Sequence, residues 1–188
     1  MKGFILNAGI GYLEKTYDEL SIDDLLSSVD TPPGGVYSPM IDYPDTTLRY
    51  LLERAALQVG IPQKKLSKLI GVFVFSELIP ISLSWVEESS NTFEMLKNHD
   101  EYLNEVVETA FPGFVPPSFR CFEISPDRLE ANFQSTFMLE DIAEGLIEAM
   151  IIYHRENISV EAIKTASVEG YSRQFILRRN MRKSVSVD

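Results

Sequence analysis

Apolar positions along this chain fall into two regimes. Between residues 48 and 59, Leu48, Leu51, Leu52, Ala55, Ala56 and Val59 recur at three- and four-residue steps, the spacing that puts them on one stripe of a helix. Asp45 can cap its start, and Gly60-Ile61-Pro62 ends it. Residues 65–83 are apolar nearly all round, with Leu69, Ile70, Val72, Phe73, Val74, Phe75, Leu78 and Ile79, so this segment predicts a helix buried on most faces. Residues 95–111 predict a further amphipathic helix, closed by Pro112-Gly113. The period then changes. Residues 119–124 and 129–137 predict paired strands around the turn Ser125-Pro126-Asp127. In the second, Leu129, Ala131, Phe133, Ser135 and Phe137 alternate with Glu130, Asn132, Gln134 and Thr136, giving one wet face and one core face. A helix follows, with Leu139, Ile142, Ala143, Leu146, Ile147, Met150 and Ile151 on one stripe. Ser159 predicts the cap of a short helix or turn, and Gly170-Tyr171-Ser172 leads into a last strand over 174–177. The order predicts an α+β architecture, a helical lobe followed by an antiparallel sheet wrapped around a long helix.

The Pro-, Gly-, Tyr- and Asp-rich segment 31–45 reads as an ordered surface connection. There is no internal repeat. With 188 residues the chain fits one domain, divided into a helical lobe over about 1–65 and a pocket-bearing lobe over about 66–188. Its net charge of −11 argues against nucleic acid and anionic membrane as partners. The one basic run, Arg178, Arg179, Arg182 and Lys183, reads as a solvated tail. One cysteine, Cys121, excludes an internal disulfide and reads as a small buried hydrophobe. The N-terminal apolar run is too short for a signal peptide and no later one reaches membrane-spanning length, so the expected location is cytoplasmic.

Enzymatic signals are missing from the sequence: it has no Gly-rich phosphate loop, nucleophile elbow or His-Glu-x-x-His motif. The two histidines, His99 in Lys97-Asn98-His99-Asp100 and His154 near a helix end, read as solvated polar residues. Glu87-Glu88 and Glu105/Glu108 read as solvated faces. The 65–83 helix, the 139–151 stripe and the Phe133-Ser135-Phe137 face can enclose either a hydrophobic pocket or a filled core. Periodicity does not separate these, and composition by itself favours the filled core.

The order of several short motifs adds to this reading. Met1-Lys2-Gly3, Tyr43-Pro44-Asp45 and Leu69-Ile70-Gly71 are followed by Phe111-Pro112-Gly113 and Pro116-Pro117-Ser118-Phe119. Ser125-Pro126-Asp127-Arg128-Leu129 and Glu144-Gly145-Leu146-Ile147-Glu148 complete the set. Together they resemble an H-NOX (haem nitric oxide/oxygen-binding, HNOB) domain over essentially the whole chain. The resemblance implies a non-enzymatic sensor. It also exposes departures. The family ligates haem iron with a histidine eight residues ahead of the Pro-Gly proline, and that position here is Asn104, a poor iron ligand. His99, five residues earlier, is rotated about 140° from it around a helix and could substitute only if the helix shifted or turned. The family's Tyr-x-Ser-x-Arg grip on the haem propionates corresponds to Phe133-Gln134-Ser135-Thr136-Phe137, which keeps the serine and loses the hydroxyl and the guanidinium.

By the same resemblance Ile5, Val74, Phe75, Leu78, Ile142 and Leu146 line the gas-binding side, and Asn104, Pro117, Phe133, Ser135 and Phe137 complete the pocket. With no tyrosine there to hold O₂, nitric oxide would be the gas if haem bound. Without haem, the walls would suit a small apolar ligand, fatty-acid-like or flat and aromatic. Three readings follow: a haem-independent sensor with an apolar pocket and no cofactor, a haem protein ligated by His99, and a ligand-free interaction module. The family's usual listeners are histidine kinases, diguanylate cyclases and chemotaxis receptors.

Overall fold

The computed structural model describes residues 3–27, 37–38, 41, 43–81, 83–110, 115–165 and 170–180. Most of the 31–45 connection, the Phe111-Pro112-Gly113 stop, the side chains of Glu105 and Glu108, and the tail residues Arg182 and Lys183 lie outside them.

Among the described residues seven helices and four strands follow the two regimes of the sequence. Helices α1 (Gly3–Thr16), α2 (Ile22–Ser27), α3 (Asp45–Val59), α4 (Gln63–Leu78), α5 (Leu83–Glu88) and α6 (Thr92–Ala110) come first, with a 3-10 turn at Ile79–Ile81. Strands β1 (Ser118–Ser125) and β2 (Arg128–Ser135), helix α7 (Glu140–His154) and strands β3 (Ile158–Lys164) and β4 (Tyr171–Arg179) follow. The sheet order is β1-β2-β4-β3, antiparallel throughout. Among the described residues no helix is long and apolar enough to cross a membrane.

Three local features differ from the sequence reading. Ser159 caps nothing: it lies within β3, where Val160, Ala162 and Ile158 pack against the core while Ser159 and Glu161 face solvent. This is a half-buried alternation hidden by its polar residues. Helix α1 was not anticipated, because Gly3, Gly9 and Gly11 dilute its apolar stripe; Ile5, Leu6, Ile10 and Leu13 are nevertheless buried. Asp45 is the first residue of α3 and Pro44 occupies the cap position.

The core is continuous. On the sheet, Phe119, Leu129, Ala131, Phe133, Phe175 and Leu177 turn inward, the period-two face read from the sequence. Helix α7 lies against that face and packs along α4. The α4–α7 crossing is close because it is made of glycines. A methyl group on Gly71 would collide with the carbonyl of Ile142, and one on Gly145 with the carbonyl of Lys68. A buried ionic cluster crosses the same junction. Glu144, with a side chain only 7% exposed, sits 2.6 Å from Lys68 Nζ, 3.4 Å from Lys64 Nζ and 3.5 Å from Arg173 Nη1. Arg173 also pairs with Asp141, and Lys68 with Glu148. Burial works against the Lys68 charge, but its hydrogen bonds to Glu144 and Glu148 prevail and hold its ammonium above the ordinary lysine value.

Candidate functional site

Where α1, α4, α6, α7 and the inner sheet face meet, packing stops short of closing the interior. A cavity of about 410 Å³ remains, within the range that holds small ligands. Helix α1 contributes Ile5, Asn7, Ala8, Gly11 and Lys15, and α4 contributes Phe73, Val74, Glu77 and Leu78. Helix α6 adds His99 and Leu103, the chain entering β1 adds Pro117 and Phe119, and β2 adds Phe133. Leu139, Ile142, Ala143 and Leu146 close the α7 side. Each helix gives residues three or four apart, the stripe that one helix face can present.

Seven of the residues named from the sequence are brought together here: Ile5, Val74, Leu78, Pro117, Phe133, Ile142 and Leu146. Four are placed elsewhere. Phe75 is on the far side of α4, its ring edge-to-face with Trp85 at 6.1 Å and Tyr153 at 5.8 Å. Asn104 is exposed and outside the cavity wall. Ser135 is buried, but its hydroxyl oxygen accepts the Phe137 N–H at 3.0 Å and so closes the end of β2. Phe137 follows the strand and packs, half-buried, against the core.

The solvated placement of His99 is wrong. The ring is 5% exposed, lines the cavity, and lies edge-to-face with Phe119 at 5.0 Å and Trp85 at 5.8 Å. Its Nδ1 is 3.0 Å from Asp100 Oδ1, and that same oxygen accepts the Phe119 N–H at 2.8 Å. One carboxylate therefore ties α6 to β1 and fixes the ring's orientation. Polar neighbours in sequence, Lys97, Asn98 and Asp100, concealed this; the signal was the phase, since buried Met95 and Leu96 precede His99 by four and three residues. His154 is half-buried, with Nε2 enclosed and without a hydrogen-bond partner, so it too is not the solvated group expected.

The rest of the wall is chemically quiet. At the rim Lys15 pairs with Glu77 at 3.2 Å and lies over the Phe73 ring. Cys121 on β1 packs against the core with its thiol 3.7 Å from the Leu96 carbonyl, and burial pushes that thiol up to about 12. Among the described residues no group of three or more His, Cys, Asp or Glu side chains could hold a metal ion.

Unliganded Fe(II) H-NOX from K. algicida superposes with a TM-score of 0.83 at 17% identity, over 97% of this chain and 98% of that one. A T. tengcongensis H-NOX variant gives a TM-score of 0.82 at 22% identity, over 97% and 100%. At these identities the likeness establishes the fold alone. No curated protein matches the chain in sequence. The haem-NO-binding family pattern matches residues 2–162, and the chain accordingly belongs to the haem-NO-binding (HNOB, H-NOX) family of sensor domains.

Proposed function

We propose that this domain is a non-enzymatic, cytoplasmic sensor that reads a small apolar molecule in its interior cavity without haem as cofactor. The observation that carries this reading is the cavity itself: about 410 Å³ with mainly apolar walls, while the family's iron-ligand position, Asn104, faces solvent. The residues present do not fit haem as the family holds it. Two propionates would meet Phe133 in place of a tyrosine, with Phe137 outside the wall in place of an arginine. Carboxylates without partners are costly in such surroundings. Among the described residues Arg173 is held by Asp141 and Glu144, and Lys15 stands at the exposed rim beside Glu77. A ligand that bridges α1, α4, α6 and the sheet can bias how the helices sit on the sheet, and a histidine kinase, diguanylate cyclase or chemotaxis receptor would read that bias.

Denaturing mass spectrometry of the purified protein, with thermal shifts against medium-chain fatty acids and planar aromatics, tests this directly. A retained apolar molecule, or a saturable shift that Ala143→Phe abolishes by filling the cavity, is the expected result. No ligand and no shift across the series would contradict it and favour a ligand-free interaction module.

A second reading has one observation in its favour. With Nδ1 donating to Asp100, the His99 ring keeps its lone pair on Nε2, and a carboxylate on the far nitrogen is the usual support of a metal-bound imidazole. Haem would then be held by His99, with nitric oxide as the gas. A Soret band abolished by His99→Ala would establish it.

A further inference from the structure

Helix α3 buries one side and leaves the other bare. Leu48, Leu51, Leu52, Ala55 and Ala56 are buried, whereas Arg49, Tyr50, Glu53, Arg54 and Leu57 are exposed. At about 100° per residue, Tyr50, Arg54 and Leu57 fall within about 60° of one another at the centre of the exposed arc, with Glu53 beside them. Two of these are large, largely apolar side chains, Tyr50 at 48% and Leu57 at 70% exposure. Single exposed apolar residues are ordinary, so exposure alone carries no conclusion.

The spacing does. Tyr50-x-x-Glu53-Arg54-x-x-Leu57 is symmetric about the midpoint between residues 53 and 54. When two copies of α3 lie antiparallel about a two-fold axis through that midpoint, position 50 meets position 57 and position 53 meets position 54. Each contact then occurs twice, as a two-fold interface requires. The apolar pair is Tyr50 with Leu57 of the second copy, and the ionic pair is Glu53 with Arg54 of the second copy. Neither Glu53 nor Arg54 has an ion-pair partner among the described residues. Arg49 lies over the Tyr50 ring at 5.2 Å.

We propose that the outer face of α3 is a self-association surface on which a second copy of this chain docks antiparallel. The inference rests on α3 alone and is independent of what the cavity holds. One helix pair covers less than a standard interface of about 1,600 Å², and two acidic copies repel at long range, so the dimer is weak and concentration-dependent.

Sedimentation velocity of the full chain, from micromolar to millimolar concentration at moderate salt, tests it with a charge swap. Glu53→Arg and Arg54→Glu each place like charges opposite one another and should raise the dissociation constant by about tenfold or more. Combining the two restores opposite charges and should return the constant to near the original value. Both positions are exposed, so the fold persists in all three variants. A monomer at every concentration, a dimer indifferent to both single variants, or a double variant no better than either single one would overturn the proposal.

Discussion

His99 and Asn104 lie on the same helix and on opposite sides of it: His99 is buried and lines the cavity, and Asn104 faces solvent. Five residues on an α-helix turn through about 500°, which leaves them about 140° apart. One of the two must therefore leave the wall when the other enters it. The helix is held in the His99-inward phase by buried Met95 and Leu96, by the Trp85 Nε1–H donating to the Met95 carbonyl at 2.9 Å, and by the Asp100 bridge to β1. Placing a histidine at 104 would add an imidazole to the surface.

The α4–α7 crossing sets the first stability prediction. Because the obstacles to a side chain at Gly71 and Gly145 are backbone atoms, neither can be relieved by a rotamer change, and the helices would have to separate. Gly71→Ala and Gly145→Ala are each expected to cost at least about 1–3 kcal/mol. Urea unfolding followed by far-UV circular dichroism should show lower midpoints with little change in m.

Glu144 provides the second. It is the buried acceptor shared by Lys68, Lys64 and Arg173, and removing it leaves Arg173 to Asp141, Lys68 to Glu148 and Lys64 to solvent. Glu144→Ala is expected to destabilise the fold by about 1–3 kcal/mol, the loss of charged hydrogen bonds without an uncompensated buried charge. Glu77→Ala removes an exposed pair with Lys15 and should cost about 0–1 kcal/mol in the same assay.

His154 makes stability depend on pH. Burial favours its neutral ring and holds its pKa below the ordinary value of 6.5, against the opposing pull of Glu156 and Glu94. The unfolded chain then takes up the proton first, so the neutral ring's contribution is full above the unfolded pKa and is lost as pH falls below 6.5 toward the depressed folded value. Urea midpoints should fall across that window in the native sequence, and His154→Gln should flatten the slope. An unchanged slope would assign it to other groups.

Much of the architecture was legible because burial imposes a period. The α3, α4 and α7 stripes and the alternation of β2 reappear as buried faces, and Gly60 ends α3 in the left-handed conformation, φ 76°, that glycine tolerates best. Where glycines or polar residues interrupt the period, as in α1 and β3, the element was missed. The site was partly legible for a different reason. Ile5, Val74, Leu78, Ile142 and Leu146 could be placed only through the family resemblance, since a cavity wall and a core face share one apolar pattern. His99 was misread because its sequence neighbours are charged while its helical neighbours, three and four residues back, are buried.

The most direct test of the central claim is an absorption spectrum of the purified protein during hemin titration, followed by dithionite and nitric oxide, repeated with Asn104→His combined with Phe133→Tyr and Phe137→Arg. A domain that senses an apolar molecule without haem, with position 104 outside the cavity, predicts only the spectrum of free hemin from both proteins. A saturable, one-to-one Soret band that shifts with nitric oxide would contradict that account, and its loss in His99→Ala would identify the ligand as the buried imidazole.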